Sequence, residues 1–262
     1  MKLARRILVT IVVTLAVIGV GIYWVAPVAL SFDAARKAPA VVKITPTDLK
    51  DRTVSRASGM RLSYVGYDFE VPWSDLDDSK TELYPKDKPQ KNKALLTFRS
   101  GLRLVVIAVP PQEFAHQFAT EFKMSPQKVE AVFGHGSASS DYSFVRNTYE
   151  FSPVTMHYWS LSDSVHTREQ MVLMVKSIMP SKSAETGIFN VENPNYKGFQ
   201  QGDPLIRQDS LLVDLYSNDG SFEIMFLQRN YGGTEGVTQP EINRIIQTLH
   251  RAAPTQVVAS TN

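Results

Sequence analysis

Residues 211–227 read LLVDLYSNDGSFEIMFL, two apolar runs joined by Ser217-Asn218-Asp219-Gly220. Asn, Asp and Gly tolerate the positive backbone angles of a tight hairpin. In the second run Phe222, Ile224 and Phe226 fall on one face with Glu223 on the other, the period of two expected of a strand that buries one side. The stretch therefore predicts an antiparallel hairpin with strands at 209–216 and 221–228, preceded by strands around 186–192 and 197–202.

Beyond the hairpin lies the best-specified helix of the chain. Thr238 and Glu241 have capping-box spacing around Pro240, and Ile242, Ile245, Ile246 and Leu249 make an i, i+3, i+4, i+7 stripe that must lie on a sheet or another helix. Upstream, Met60, Leu62 and Tyr64 alternate with polar residues, as do Tyr67, Phe69, Val71 and Trp73, and Gly66 between them marks a turn. Residues 78–93, with five Lys and two Pro, read as a loop. ALLTFR (94–99) and LRLVVIAV (102–109) then predict two strands joined through Ser100-Gly101. The second is apolar at every position from Leu104 to Val109, as for a central strand covered on both faces.

Helical patterns fill the middle. Phe114, Phe118 and Phe122 form one stripe with Ala115 and Ala119, and Ser125-Pro126 supplies an N-cap and first-turn proline ahead of Val129, Val132 and Phe133. A helix is expected near 140–150, and another after Thr167 and Gln170, running through Met171–Met179 to Pro180. Strands, then helices, then hairpin-linked strands and a closing helix predict α+β with a largely antiparallel sheet packed by helices. With no repeat and no second break in composition, 60–253 is expected to be one domain, followed by a disordered tail at 254–262. The order of elements and the closing EINRIIQTLH resemble Mog1/PsbP-like domains, and together with the N-terminus described next they resemble bacterial membrane-anchored envelope proteins of uncharacterised role. No functional residue is implied by that resemblance.

Lys2, Arg5 and Arg6 lead the chain, and no Asp, Glu, Lys, Arg or His follows from Ile7 to Phe32. About 20 apolar residues cross a bilayer. The expectation is a single transmembrane signal anchor at 7–32 with its basic tip, 1–6, in the cytoplasm by the positive-inside rule. Residues 33–59 read as a stalk and the bulk of the chain as extracytoplasmic. The competing reading is a cleaved secretory signal, with small-x-small sites at Ala29-Leu30-Ser31 and Ala38-Pro39-Ala40. The apolar run is too long for a typical one.

Taking those three cations from the 28 leaves 25 against 26 acids, a net of −1 after residue 32, so the basic excess sits in the leader. A nucleic-acid reader should carry a basic stripe, and that class is set aside. The absence of cysteine removes disulfides, thiolate metal sites and thiol nucleophiles.

Catalytic patterns are sparse. His116, His135, His157, His166 and His250 make no H-x-x-x-H pair, and neither nucleotide glycine motif is present. YGGTEG, residues 231–236, precedes a helix but lacks the lysine of a phosphate loop. The most suggestive cluster is Gly134-His135-Gly136-Ser137 with Ser139, Ser140 and Asp141, which could supply a hydrolytic triad but equally reads as a helix end followed by a polar turn. Asp75, Asp77 and Asp78 lack the glycine and glutamate of a calcium loop and read as turn chemistry. No catalytic, cofactor-binding or metal residue is assigned. The expectation is a membrane-anchored binding or assembly module of the cell envelope rather than an enzyme, with an envelope protein as possible partner. The alternatives are a tethered hydrolase using His135 and a nearby serine, or a small-ligand carrier using the aromatics at His157-Tyr158-Trp159.

Overall fold

The computed structural model describes residues 44–88, 91–150, 187–206, 210–227 and 236–252. In chain order the elements are β1 (Thr47–Asp48), β2 (Met60–Tyr64), β3 (Tyr67–Val71), β4 (Glu82–Tyr84), β5 (Lys93–Thr97) and β6 (Arg103–Val109). Then come α1 (Glu113–Glu121), α2 (Pro126–Phe133), α3 (Asp141–Glu150), β7 (Ile188–Glu192), β8 (Lys197–Gln201), β9 (Ser210–Ser217), β10 (Gly220–Leu227), α4 (Gln239–Thr248) and β11 (His250–Arg251).

The hairpin forms where its sequence places it, with Phe222 opposite Leu215 and Ile224 opposite Val213. Gly220 closes it at φ +128°, where a Cβ would lie 2.7 Å from the Val109 carbonyl oxygen, so the turn needs glycine both for its dihedral and for its space. Around it runs an eight-stranded sheet in the order β1-β7-β8-β9-β10-β6-β5-β4. Every ladder is antiparallel except the two-residue β1–β7 pair at the edge. A second sheet, β11-β3-β2, is antiparallel throughout. The protein is α+β, its large sheet mixed rather than purely antiparallel.

Period-two alternation gives the large sheet two apolar faces. Leu104, Val106, Leu211, Val213, Leu215, Phe222, Ile224 and Phe226 are fully buried on one of them, under the small sheet and α4. Tyr67 and Phe69 bring their rings to 4.6 and 5.6 Å from Phe222. The predicted stripe of α4 enters this core, its four aliphatic chains at most 2% exposed, each contributing on the order of 1.5–3 kcal/mol. Its capping box is present, and Glu241 also accepts a hydrogen bond from the Trp73 indole at 3.0 Å.

The opposite face carries α1–α3. Phe118 packs among Phe122, Phe133 and Phe144, while Tyr142 and Tyr149 bring that cluster down onto Phe199 of β8. Strand β6 lies centrally between β10 and β5. Its Leu104 and Val106 are sealed on the first face, and its Val105 and Ile107 are half-buried on the second.

Two stretches differ from expectation. Residues 78–93 are not all loop: a 3-10 turn at Asp78–Lys80 leads into β4, where Glu82 pairs with Leu95 and Tyr84 with Lys93. The last part of the expected stalk is laid along the domain. The Ile44 amide donates to the Tyr149 carbonyl, β1 pairs with β7, and the Asn243 amide donates to the carbonyls of Asp51 and Thr53. Among the described residues no helix is long and apolar enough to cross a membrane. The candidate span 7–32, the helix expected over 167–179, the aromatics His157-Tyr158-Trp159 and the tail 254–262 lie outside those residues.

Candidate functional site

The sequence's most suggestive cluster assembles as a helix cap. Gly134 ends α2 at φ +102°, and Glu130 accepts hydrogen bonds from the Gly136 and Ala138 amides, folding the next turn back onto the helix. Ser137 is fully buried and accepts from the Asn147 amide, Ser139 donates to the Gly136 carbonyl, and Ser140 accepts from the Ser143 amide. Asp141 is buried and accepts from the Phe114 amide at the start of α1. Burial pushes its carboxyl above the ordinary range, against the backbone N–H groups of α1. The His135 side chain points into solvent, its Nδ1 3.7 Å from Glu130, and among the described residues no hydrogen bond joins it to a serine. Asp75 accepts from the Ser100 amide, and Asp77 binds Ser79 and Lys80, as turn residues do. Among the described residues no three potential metal ligands converge.

Other residues converge where the sheet ends. Strand β1 covers only Phe189 and Asn190 of β7, and beyond it the edge opens into a cleft of about 320 Å³ flanked by α3 from one face and α4 from the other. Arg52, Arg146 and Lys197 line it, and among the described residues none of the three side chains makes an ion pair or hydrogen bond. Asp48 and Glu192 line it too. Asp48 is engaged, accepting from the Asn190 amide at 3.0 Å, and Glu192 stands opposite Lys197 across the β7–β8 ladder. The remaining edge is closed by Gln247, whose amide donates to the Glu192 carbonyl at 3.0 Å.

A second cavity of about 260 Å³ adjoins the first and shares Tyr142 and Lys197 with it. It is lined by tyrosines and short amides around the β7–β8 turn and the end of β9. Asn193 builds that turn: its Oδ1 accepts from the Asn195 and Tyr196 amides, and its Nδ2 donates to the Ile246 and Leu249 carbonyls at the end of α4. Asn195 and Asn218 keep their side-chain amides unengaged among the described residues. Tyr216 lines this cavity while only 5% exposed, and its hydroxyl has no hydrogen-bond partner among the described residues. Tyr142 is held flat on Phe199, with 2° between the ring planes and 5.2 Å between centroids.

Beside the cleft, on the helix-covered face, Asp214 of β9 stands directly opposite Glu223 of β10. Asp214 is buried, accepts one hydrogen bond from the Gln201 amide at 2.9 Å, and leaves its Oδ1 without a partner. Burial pushes its carboxyl well above the ordinary range and the neighbouring Glu223 charge adds to this, with the Gln201 amide opposing. Burial likewise raises Glu223. Tyr149 and Tyr216, close to Asp214, are raised by burial and then by its charge.

None of the cleft cations was singled out by sequence, because Arg52, Arg146 and Lys197 come from three separate segments with no spacing to relate them. Comparison with family models, with curated proteins and with solved structures finds no match to the chain.

Proposed function

We propose that the chain is a membrane-tethered module of the cell envelope that binds an anionic ligand in the cleft at the β1–β7 edge. The observation that carries the binding role is the set of three cations lining one concave site, whose side chains make no ion pair or hydrogen bond among the described residues. A volume of about 320 Å³ lies at the lower end of the range of small-ligand sites. Exposed cations gain little from the fold, so their convergence is better accounted for by a ligand than by stability. The tether rests on the leader: three cations followed by 26 residues free of Asp, Glu, Lys, Arg and His. The hydrolase alternative draws no support from His135, whose neighbouring serines are spent on capping and turn contacts.

Two measurements test this reading. Intact mass of the membrane fraction should retain residues 1–32, and a mature chain lacking them would defeat the anchor. Full-length protein in neutral detergent should bind at least one of oligogalacturonate, polyglutamate and polyphosphate. That binding should weaken with salt, as for exposed charges, and by tenfold or more in an R52Q/R146Q/K197Q variant. Failure to bind all three, or indifference to the triple substitution, would overturn the cleft assignment.

A further inference from the structure

Resting on the anionic-cleft reading, we propose that the ligand is an acidic saccharide chain lying across both cavities, with its acid group at the Arg52–Arg146 end and its sugar rings over Tyr142. The two cavities share Tyr142 and Lys197 in their linings, so they lie side by side and an occupant longer than a single small anion could touch both. Their chemistries differ. The first offers guanidinium groups, whose planar forks match carboxylates. The second, apart from the shared Lys197, has no charged lining residue among the described ones and offers tyrosine rings, the Ser140 hydroxyl and the side-chain amides of Asn195 and Asn218, unengaged among the described residues.

That alternation fits a pyranose. A sugar ring has an apolar C–H face, which an aromatic platform can cover, and a rim of hydroxyls that each donate and accept, as amides and phenols also do. Tyr142 is preset for the first task, since its stacking on the fully buried Phe199 fixes the ring plane before any ligand arrives. Tyr216 is suited to the second: its ring is mostly buried at the cavity wall, and its hydroxyl makes no hydrogen bond among the described residues. A phenol both donates and accepts, so it can pair with a ligand hydroxyl.

Other anions fit less well. An acidic peptide adding itself as a strand needs an open edge, but β1 takes Phe189 and Asn190 and Gln247 takes the Glu192 carbonyl. A lone phosphate would use the cationic cleft and leave the tyrosine-lined cavity without a role. A nucleic acid conflicts with the net charge of −1 after residue 32.

The test is calorimetric titration of the full-length chain in neutral detergent with four probes: oligogalacturonate, a neutral maltooligosaccharide of equal length, polyglutamate and polyphosphate. Oligogalacturonate should bind about tenfold more tightly than each of the others. Y142A should weaken it about tenfold, and so should N195A, an exposed turn substitution that leaves the Tyr142–Phe199 stack intact. Equal binding of all three polyanions, unmoved by both variants, would overturn the saccharide assignment and leave the cationic cleft standing. Binding of the neutral oligosaccharide as tightly as the acidic one would also overturn it. Binding of no polyanion would remove this proposal and the cleft reading together.

Discussion

Replacing Asp214 by asparagine isolates the energetic consequence of placing two carboxyls opposite each other in the middle of a covered sheet. Asp214 and Glu223 are held above their ordinary values of 3.8 and 4.5, chiefly by burial. Below pH 3.8 both the folded and unfolded chains carry these protons, and the fold keeps its full stability. As pH rises past those ordinary values the unfolded chain ionises first while the folded chain retains its protons. Stability therefore falls by about 1.4 kcal/mol per pH unit for each excess proton held, until the folded-state values are passed.

The asparagine amide is nearly isosteric, keeps an acceptor for Gln201 and cannot ionise, so it removes this loss for one of the two groups. At about pH 8 the gain should be about 1–3 kcal/mol, the range for relieving a buried, incompletely satisfied polar group. For a chain of this size that corresponds to a rise in Tm of about 2–12 °C. The assay is thermal unfolding of parent and variant in matched buffers from about pH 4 to 8. The two curves should converge at the acid end and separate upward, with the variant flatter. Parallel curves, or a variant less stable at alkaline pH, would refute the idea that the pair holds protons in the folded state.

Three further substitutions probe the scaffold. A Cβ at Gly198 would lie 1.7 Å from the Asp214 carbonyl oxygen, so G198A should separate β8 from β9 at a cost of about 3 kcal/mol or more, read as a lowered urea midpoint or loss of folded protein. E241A removes the capping box and the acceptor for the Trp73 indole together and should cost about 2–3 kcal/mol by denaturant titration, with E241Q losing less. N193A gives up four hydrogen bonds, two that shape the β7–β8 turn and two that tie it to the end of α4, for about 2–4 kcal/mol. N193D keeps the acceptor but turns a carboxylate oxygen toward two carbonyls, and should be no better in the same assay.

Where structure is specified over a few residues, the chain could be read directly. The Asn-Asp-Gly turn, the Thr238–Glu241 box and the Ser125-Pro126 start of α2 each rest on contacts spanning three or four positions, and each forms. Strand β1 could not be read this way, because its two residues are strand only through pairing with Phe189 and Asn190 some 140 positions away. Strand β4 was hidden by the lysines around it, its residues being half-buried or exposed and recruited by β5. The His135 cluster was legible as a set of residue types but not as an arrangement. Local capping by Glu130 and Asn147 takes its turn amides and the Ser137 hydroxyl.

Asp214 shows a different limit. In LLVDLY an aspartate between Val213 and Leu215 looks like the polar member of an alternating strand, which would face water if only one side of the sheet were covered. Here both sides are covered, by α4 and the small sheet below and by α1–α3 above, so the same alternation drives a carboxylate inward. The cleft lies at the edge of that sheet, where among the described residues α3 and α4 flank it from opposite faces. Arg52, Arg146 and Lys197 are all exposed there, so nothing in the core constrains them. The fold thus separates two electrostatic environments along one sheet. At its centre, ionisation opposes folding and the groups are held neutral. At its edge, fixed positive charge costs the fold little, and it is this charge that the proposed ligand would meet.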